Sequence, residues 1–510
     1  MMERLEDHLR RRASWYVAVA SLLYFVLTAI TAHRRPLWYD ELFTFHLARQ
    51  ERLADVLRAL ASGADIHPPL DYILRHFSMR WLGTGELSDR IPSILAFWVM
   101  CLAVRRIVAY RCGPIFGMVA FLAPLCTLAY DYAYEGRGYA IMLAGSAVAL
   151  AAWQAAAEGD RRPAALALMG LGLATAVTVH YYGFFVFIPL VAGEAVRASL
   201  RRKVDWALTL VAAGAALSFL LNWPYLVVQA GQTGKFWSQA SVAETFQAYW
   251  WLLSGLALVV PLFLVLAAAA YGLDHGVGQE RRVAAAVPAH EWSAAVAALF
   301  VPGACYLVAR FATEVFHFRY MLLTILGVIL AGGFVAHHLF AGNARLRVAL
   351  LVAVALVGAY VMTRTARESE APAAGRARQA ALESALPDRT LPVVHATRTG
   401  FMEATRYAAP ALHPRMYYLT NREASLNWVG NDNGQRAMEN IAPFVPGRVV
   451  DYRDFLGGHP RFLLVNPRAT KEWILSQLLK DGAVIFYRTV SIENVVLEVR
   501  MSPPGPGSSP

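Results

Sequence analysis

Long apolar runs, separated by clusters of arginine, leave this chain few ways to fold. The first, Trp15 to Ala32, is long enough to cross a hydrocarbon core and follows Arg10-Arg11-Arg12. A second covers residues 92–108 and ends in a basic stretch with Arg105, Arg106 and Arg111, and a third runs from Gly113 to about Asp131. Later runs meet Glu158-Gly159-Asp160-Arg161-Arg162, turn at His180-Tyr181-Tyr182-Gly183, return to Arg201-Arg202-Lys203 and leave again at Asn222-Trp223-Pro224-Tyr225. The last lies near residues 346–362. The pattern predicts a polytopic α-helical membrane protein of about eleven spans. Arg-rich turns alternate with Trp- and Tyr-rich ones, which by the positive-inside rule puts the N-terminus in the cytoplasm. An odd number of spans then leaves the C-terminal part outside.

Composition agrees. Of 510 residues 57% are hydrophobic and 16% charged, too few charges to cover a soluble surface. The formal net charge of +11 is spread between apolar runs, which points to topology and anionic lipid and excludes a nucleic-acid binder. Cys101, Cys112, Cys126 and Cys305 lie in or beside apolar runs without CxxC spacing, so neither a disulfide framework nor a zinc site is expected. The first run lacks a small-residue cleavage site and reads as an anchor.

Three regions follow. Residues 1–362 form the membrane domain, with a first outer loop at 33–91 whose segments Phe43 to Gln50 and Leu53 to Leu60 have helical spacing suited to the interface. Residues 363–500 open with a charged helix (Arg364 to Ala385). Short β-like runs at 391–395, 416–419, 461–465, 484–487 and 495–499 then alternate with helical stretches such as Lys471 to Leu479, the pattern of a small extracytoplasmic α/β domain. Residues 501–510, rich in Pro, Gly and Ser, form a disordered tail.

The chemistry concentrates at the outer ends of the spans. Asp40 and Glu41 stand just past the first one. A polar flank would explain them, but adjacent carboxylates at that depth are costly unless they pair or line a cavity. Asp40 suits a general base that takes a proton from a hydroxyl, with Glu41 as its mate. The same face collects His67, Glu135, Arg137, His180, Lys235, His317 and Arg319. Arg137 and Arg319 suit phosphate, because a guanidinium offers two donors to two oxygens and stays charged. Lys235 can do so as a point charge, or can simply snorkel. The outer Trp and Tyr residues match an aromatic belt. His67-Pro68-Pro69 fixes a loop, and no HxxxH or HxxE spacing makes His67 a metal ligand.

These residues form an ordered set: Asp40-Glu41, His67-Pro68-Pro69-Leu70-Asp71-Tyr72, Arg90-Ile91-Pro92-Ser93, Tyr134-Glu135-Gly136-Arg137-Gly138-Tyr139-Ala140, His180-Tyr181-Tyr182 and Phe318-Arg319-Tyr320. The set resembles bacterial glycosyltransferase family 39, relatives of protein O-mannosyltransferases and lipid A aminoarabinose transferases, over about the first two-thirds of the chain. The motif after the third span reads Glu-Gly-Arg-Gly-Tyr where relatives commonly have Glu-Ala-Arg-Pro-Tyr. The resemblance implies a GT-C fold, a polyprenyl-phosphate sugar as donor, an extracytoplasmic acceptor (glycan, lipid or protein) and inversion at the sugar carbon. By that analogy Asp40 and Glu41 are catalytic, and His67, Arg90, Glu135, Arg137, Tyr139, His180, Tyr181, Lys235, His317, Arg319 and Tyr320 bind substrate. No cofactor is expected, a divalent metal being the minority option. Membrane lipids are the surroundings, in a plasma or inner membrane. Three other readings compete. A transporter or flippase would bury charge at mid-membrane and show repeats, and neither is seen here. A ligase for diphosphate-linked glycans fits the single-sugar resemblance less well. A receptor would need an inner signalling domain.

Overall fold

The computed structural model describes residues 2–232, 241–272, 286–313, 316–369, 372–468, 472–490 and 494–501. Its contacts divide the chain into two units that do not follow chain order. The first holds residues 1–32, 67–223 and 238–369, the second residues 33–66, 224–237 and 370–510.

The membrane helices make up most of the first unit. Among the described residues, eight helices are long and apolar enough to cross a membrane, from Ala13–Arg34 to Ala344–Glu368. Two bent pairs, Pro114–Cys126 with Leu128–Tyr134 and Ala289–Leu299 with Val301–Thr313, raise the number to as many as ten. One apolar helix, Thr324–Phe340, is too short to count, so the described residues give eight to ten spans where about eleven were expected. The first pair turns by 75° where Thr127 leaves helical geometry and its Oγ1 accepts from the Ala129 amide. Past this bend Tyr132 to Arg137 are all buried. The spans Tyr139–Glu158 and Arg162–Val179 meet backbone to backbone, since a Cβ on Gly145 would stand 2.7 Å from the Gly172 carbonyl, and the converse holds. Small residues allow that approach, which packing in lipid exploits.

At the other end, several arginines are ion-paired. Arg111 bridges Glu158 and Glu291 at 2.5 Å each, and Arg197 holds Glu194 and Asp205. Arg347 reaches Glu6 at 2.6 Å. Pairing makes such charges tolerable near a low-dielectric layer.

The second unit is a six-stranded sheet in the order β3-β2-β1-β4-β6-β5. The strands are β1 (Val393–His395), β2 (Met416–Thr420), β3 (Arg448–Asp451), β4 (Arg461–Pro467), β5 (Ala483–Val490) and β6 (Asn494–Met501). The first four are mutually parallel, and β6 runs antiparallel between β4 and β5. On one face Val394, Tyr417, Leu419, Phe462, Leu464, Leu497 and Val499 pack under Tyr452, Phe455, Trp473 and Leu478. On β2 every residue is buried, as expected of a parallel strand covered on both sides. β3 was not expected: two valines flanked by Arg448 and Asp451 on a half-exposed strand give no apolar run to notice.

The helix Tyr39–Ala48 differs from the expected interfacial one. Residues Glu41 to Ala48 are all buried, and Leu42, Phe43, Phe45 and Leu47 surround the helix rather than striping one face. It belongs to the second unit and is tied to the helix Arg398–Tyr407. The Leu37 amide donates to the Tyr407 hydroxyl at 2.8 Å, and His46 Nε2 and Thr405 Oγ1 lie 2.7 Å apart.

Candidate active site

In the first unit, four turns at one end of the spans bring one group of side chains together. They are the segment before the helix Pro69–Leu82, the turn Glu135–Gly138, and two short 3₁₀ turns, Tyr181–Val186 and Phe318–Met321. The last two are built alike. Each starts at a histidine in extended geometry whose Nδ1 accepts the amide two residues on: His180 from Tyr182 at 3.2 Å, His317 from Arg319 at 3.4 Å. The turns then join through Tyr182 and Tyr320, which stack at 4.4 Å with planes 3° apart.

Arg137 is buried at the centre. Its Nη2 donates to His67 Nδ1 at 2.7 Å, and its carbonyl accepts from Ser93 at 3.3 Å. The His67 ring lies 5.3 Å from His180, and Tyr139 lies 4.9 Å from both His180 and Tyr132. Tyr320 is 5.9 Å from His180. Gly138 makes this approach possible, since a Cβ there would stand 3.1 Å from Val179 Cγ2 and 3.4 Å from Asp71 Cβ. The second glycine of the motif is thus a packing requirement between the Arg137 turn and the end of the neighbouring span. Burial, then His67, Arg137 and Arg319, holds the His180 imidazole in its turn well below its usual range. It is therefore neutral, and its buried Nε2 has no hydrogen-bond partner among the described residues. Glu135 is buried in the same turn.

Other expected residues are placed differently. Arg90 is fully buried, and its Nη1 donates to the Ala32 carbonyl at 2.7 Å, closing the end of the first span. Tyr181 packs on Phe219, whereas Tyr182, its neighbour, joins the cluster. His317 caps its turn and lies over Phe318 at 4.4 Å. Lys235 falls outside the described residues.

Sequence reasoning missed the support beneath Arg137. Arg75, fully buried, donates from Nε to Asp71 and from Nη2 to Ser93, both at 2.9 Å, and also to the Asp89 carbonyl. Asp71 and Arg75 are four apart on one helix, a spacing that was available as a signal.

In the second unit the two adjacent carboxylates part company. Glu41 is buried, and its Oε2 accepts the Trp38 amide at 3.1 Å, capping the helix on which both stand. Asp40 is half-buried, and its carbonyl accepts Thr44 Oγ1 at 3.4 Å.

Among the described residues, Glu158, His290 and Glu291 have ligand atoms within 4.8 Å of one another. Arg111 donates to both carboxylates, which makes the group an ion-pair node at the opposite end of the spans.

No family model matches the chain, and no curated protein matches its sequence. Solved structures do. ArnT from Cupriavidus metallidurans in the apo state is similar with a TM-score of 0.57 at 14% identity, over 95% of this chain and 97% of that one. The same protein bound to undecaprenyl phosphate gives 0.58 at 12% identity, over 95% and 98%. The chain therefore has the fold of ArnT, with many apolar helices long enough to cross a membrane and a small sheet region at its C-terminal end.

Proposed function

We propose that the chain is a membrane glycosyltransferase that moves a sugar from a polyprenyl-phosphate carrier to an extracytoplasmic acceptor. The observation that carries this reading is the convergence of Arg137, His67, neutral His180 and the Tyr182–Tyr320 stack at one end of the spans. Arg137 and Arg319 hold the carrier phosphate, and a neutral imidazole beside them can donate to an oxygen without adding charge. Asp40 takes the proton of the attacking hydroxyl as the new C–O bond forms. The sugar–phosphate bond breaks with its electron pair going to the phosphate, and the sugar carbon inverts. Stabilising that departing charge is the main task, and two guanidiniums in a water-poor setting suit it. ArnT supports the donor class, because one of its structures holds undecaprenyl phosphate. The reading places the N-terminus in the cytoplasm and the α/β region outside.

The test is transfer from a panel of polyprenyl-phosphate sugars by the purified full chain, beside Asp40→Asn. Turnover by the native chain and a drop of about 10³-fold or more in the variant is expected. Equal turnover by both would make Asp40 structural. Donor movement across vesicles without sugar transfer would favour the transport reading.

A further inference from the structure

The sheet of the second unit has a topological switch point. From β1 the chain crosses to β2 on one side, while β4 lies parallel to β1 on the other. In open α/β sheets the crevice beyond the carboxyl ends of such strands is where ligands bind. Here β1 runs out through His395-Ala396-Thr397 into the helix Arg398–Tyr407, with Thr397 Oγ1 accepting the Gly400 amide at 3.1 Å.

Arg398 is the residue that needs explaining. It is half-buried at the first position of that helix, and its guanidinium lies across the first turn of a second helix, Asn433–Ile441. A Cβ on Gly434 would stand 2.5 Å from its Nη1 and 3.3 Å from its Cζ. A cation thus sits at the positive ends of two helices, which is unfavourable unless an anion joins it. None does: among the described residues no carboxylate or other acceptor lies within ion-pair or hydrogen-bond distance of Arg398, which sits over the Tyr39 ring at 5.3 Å and meets Glu472 only through longer-range attraction. Asp432, at the start of the second helix, is taken by Arg436 at 2.7 Å.

Half-buried Glu472 and buried His395 add to the picture. Glu472, after β4, makes no capping bond to the helix it precedes, and burial raises its carboxyl to about 7 against the pull of Arg398. It is a poor counter-charge and a good partner for a hydroxyl. His395 lies behind the first turn, its Nδ1 3.6 Å from where a Gly400 Cβ would stand. Its buried Nε2 has no hydrogen-bond partner among the described residues. Tyr418 on the neighbouring strand β2 is buried, and its hydroxyl accepts from Gln435 Nε2 at 3.1 Å.

We propose that this crevice is an acceptor subsite for a hydroxyl-rich molecule bearing an oxyanion, carboxylate or phosphate, which Arg398 clamps. Tyr39 carries the guanidinium and directly precedes Asp40, so the subsite holds the acceptor beside the residue assigned as base. The inference rests on that assignment for its meaning as an acceptor site, but not for binding itself.

The experiment measures binding of glucose, glucuronic acid and glucose 6-phosphate to the full-length detergent-solubilised protein by saturation-transfer NMR. One or both acidic sugars should bind about ten-fold tighter than glucose, as a charge-assisted pair provides, and inorganic phosphate should compete. The tighter of the two names the acceptor class. Arg398→Gln should erase the preference, and Gly434→Ala, which displaces the guanidinium without removing it, should weaken it. Arg137→Ala should leave the Arg398-dependent part in place. Equal binding of all three sugars by the native chain, or a preference that survives Arg398→Gln, overturns the subsite. Asp40→Asn separates the two readings. If it abolishes transfer while no acidic preference exists, the base stands and the subsite falls. If it remains active while the preference persists, the anion site stands and its role as acceptor site falls.

Discussion

Replacing Arg75 by Met should destabilise the first unit more than any change to the aromatic cluster above it. The guanidinium is fully buried, donates from Nε to Asp71 and from Nη2 to Ser93, both at 2.9 Å, and lies 3.9 Å from the Asp89 carboxylate. Met fills much the same volume, so the packing loss is small. What remains is two buried carboxylates, Asp71 and Asp89, without their cation. Removing one partner from such a buried set costs about 3–5 kcal/mol. At roughly 2 °C per kcal/mol for a unit of this size, the midpoint should fall by about 6–10 °C. The assay is built into the chain, because all four cysteines are buried and free. A fluorogenic maleimide therefore reports unfolding directly during a thermal ramp. Since Ser93 also donates to the Arg137 carbonyl, transfer activity should fall at temperatures where the fold still holds. Asp71→Asn added to Arg75→Met should recover part of the midpoint, by removing a stranded charge. A midpoint within 2 °C of native for Arg75→Met alone would refute the reasoning.

Two further outcomes can be checked with the same material. Arg137→Ala should lower transfer by about 10²–10³-fold, and Arg137→Lys, which keeps charge but loses the fork, by less; equal losses would mean that geometry at His67 matters more than charge. Glu498, inside the ring of Arg461, Arg500 and Arg488, has its carboxyl held down to about 2, so its contribution is complete above about pH 4.5 and is lost as pH falls toward 2. Between pH 5 and 3 the native midpoint should fall through this group, while Glu498→Gln should start lower and change less; identical slopes would remove the hub from the account.

Much of the candidate site was legible because it is made of residue types that membranes tolerate only with a purpose. His67, Arg137, Tyr139, His180 and Tyr320 stand far apart in sequence, yet each ends or begins an apolar run at the same face, and the structure brings them within ring-contact range. Roles within each motif were not legible. Tyr181 and Tyr182 are chemically equal, and only the hand of the 3₁₀ turn sends one to Phe219 and the other to Tyr320. Arg90 carries the same charge as Arg137, but its position inside a helix aims it at a backbone carbonyl of the first span.

By itself the sequence determined the class of the protein. Apolar runs of bilayer length must be helices, because lipid offers their backbones no other partner, and arginine spacing orders them. Strand-length runs after residue 390 likewise had to pair into a sheet. The tertiary structure alone decided which carboxylate of Asp40-Glu41 is used up in capping, and that residues 33–66 pack with the C-terminal sheet. It also decided that Arg398 has no ion-pair partner among the described residues and lies against the first turn of the helix Asn433–Ile441. The reason is physical: periodicity encodes which face of a segment is apolar, while the partner of a buried charge depends on which distant segment supplies the missing donor or acceptor.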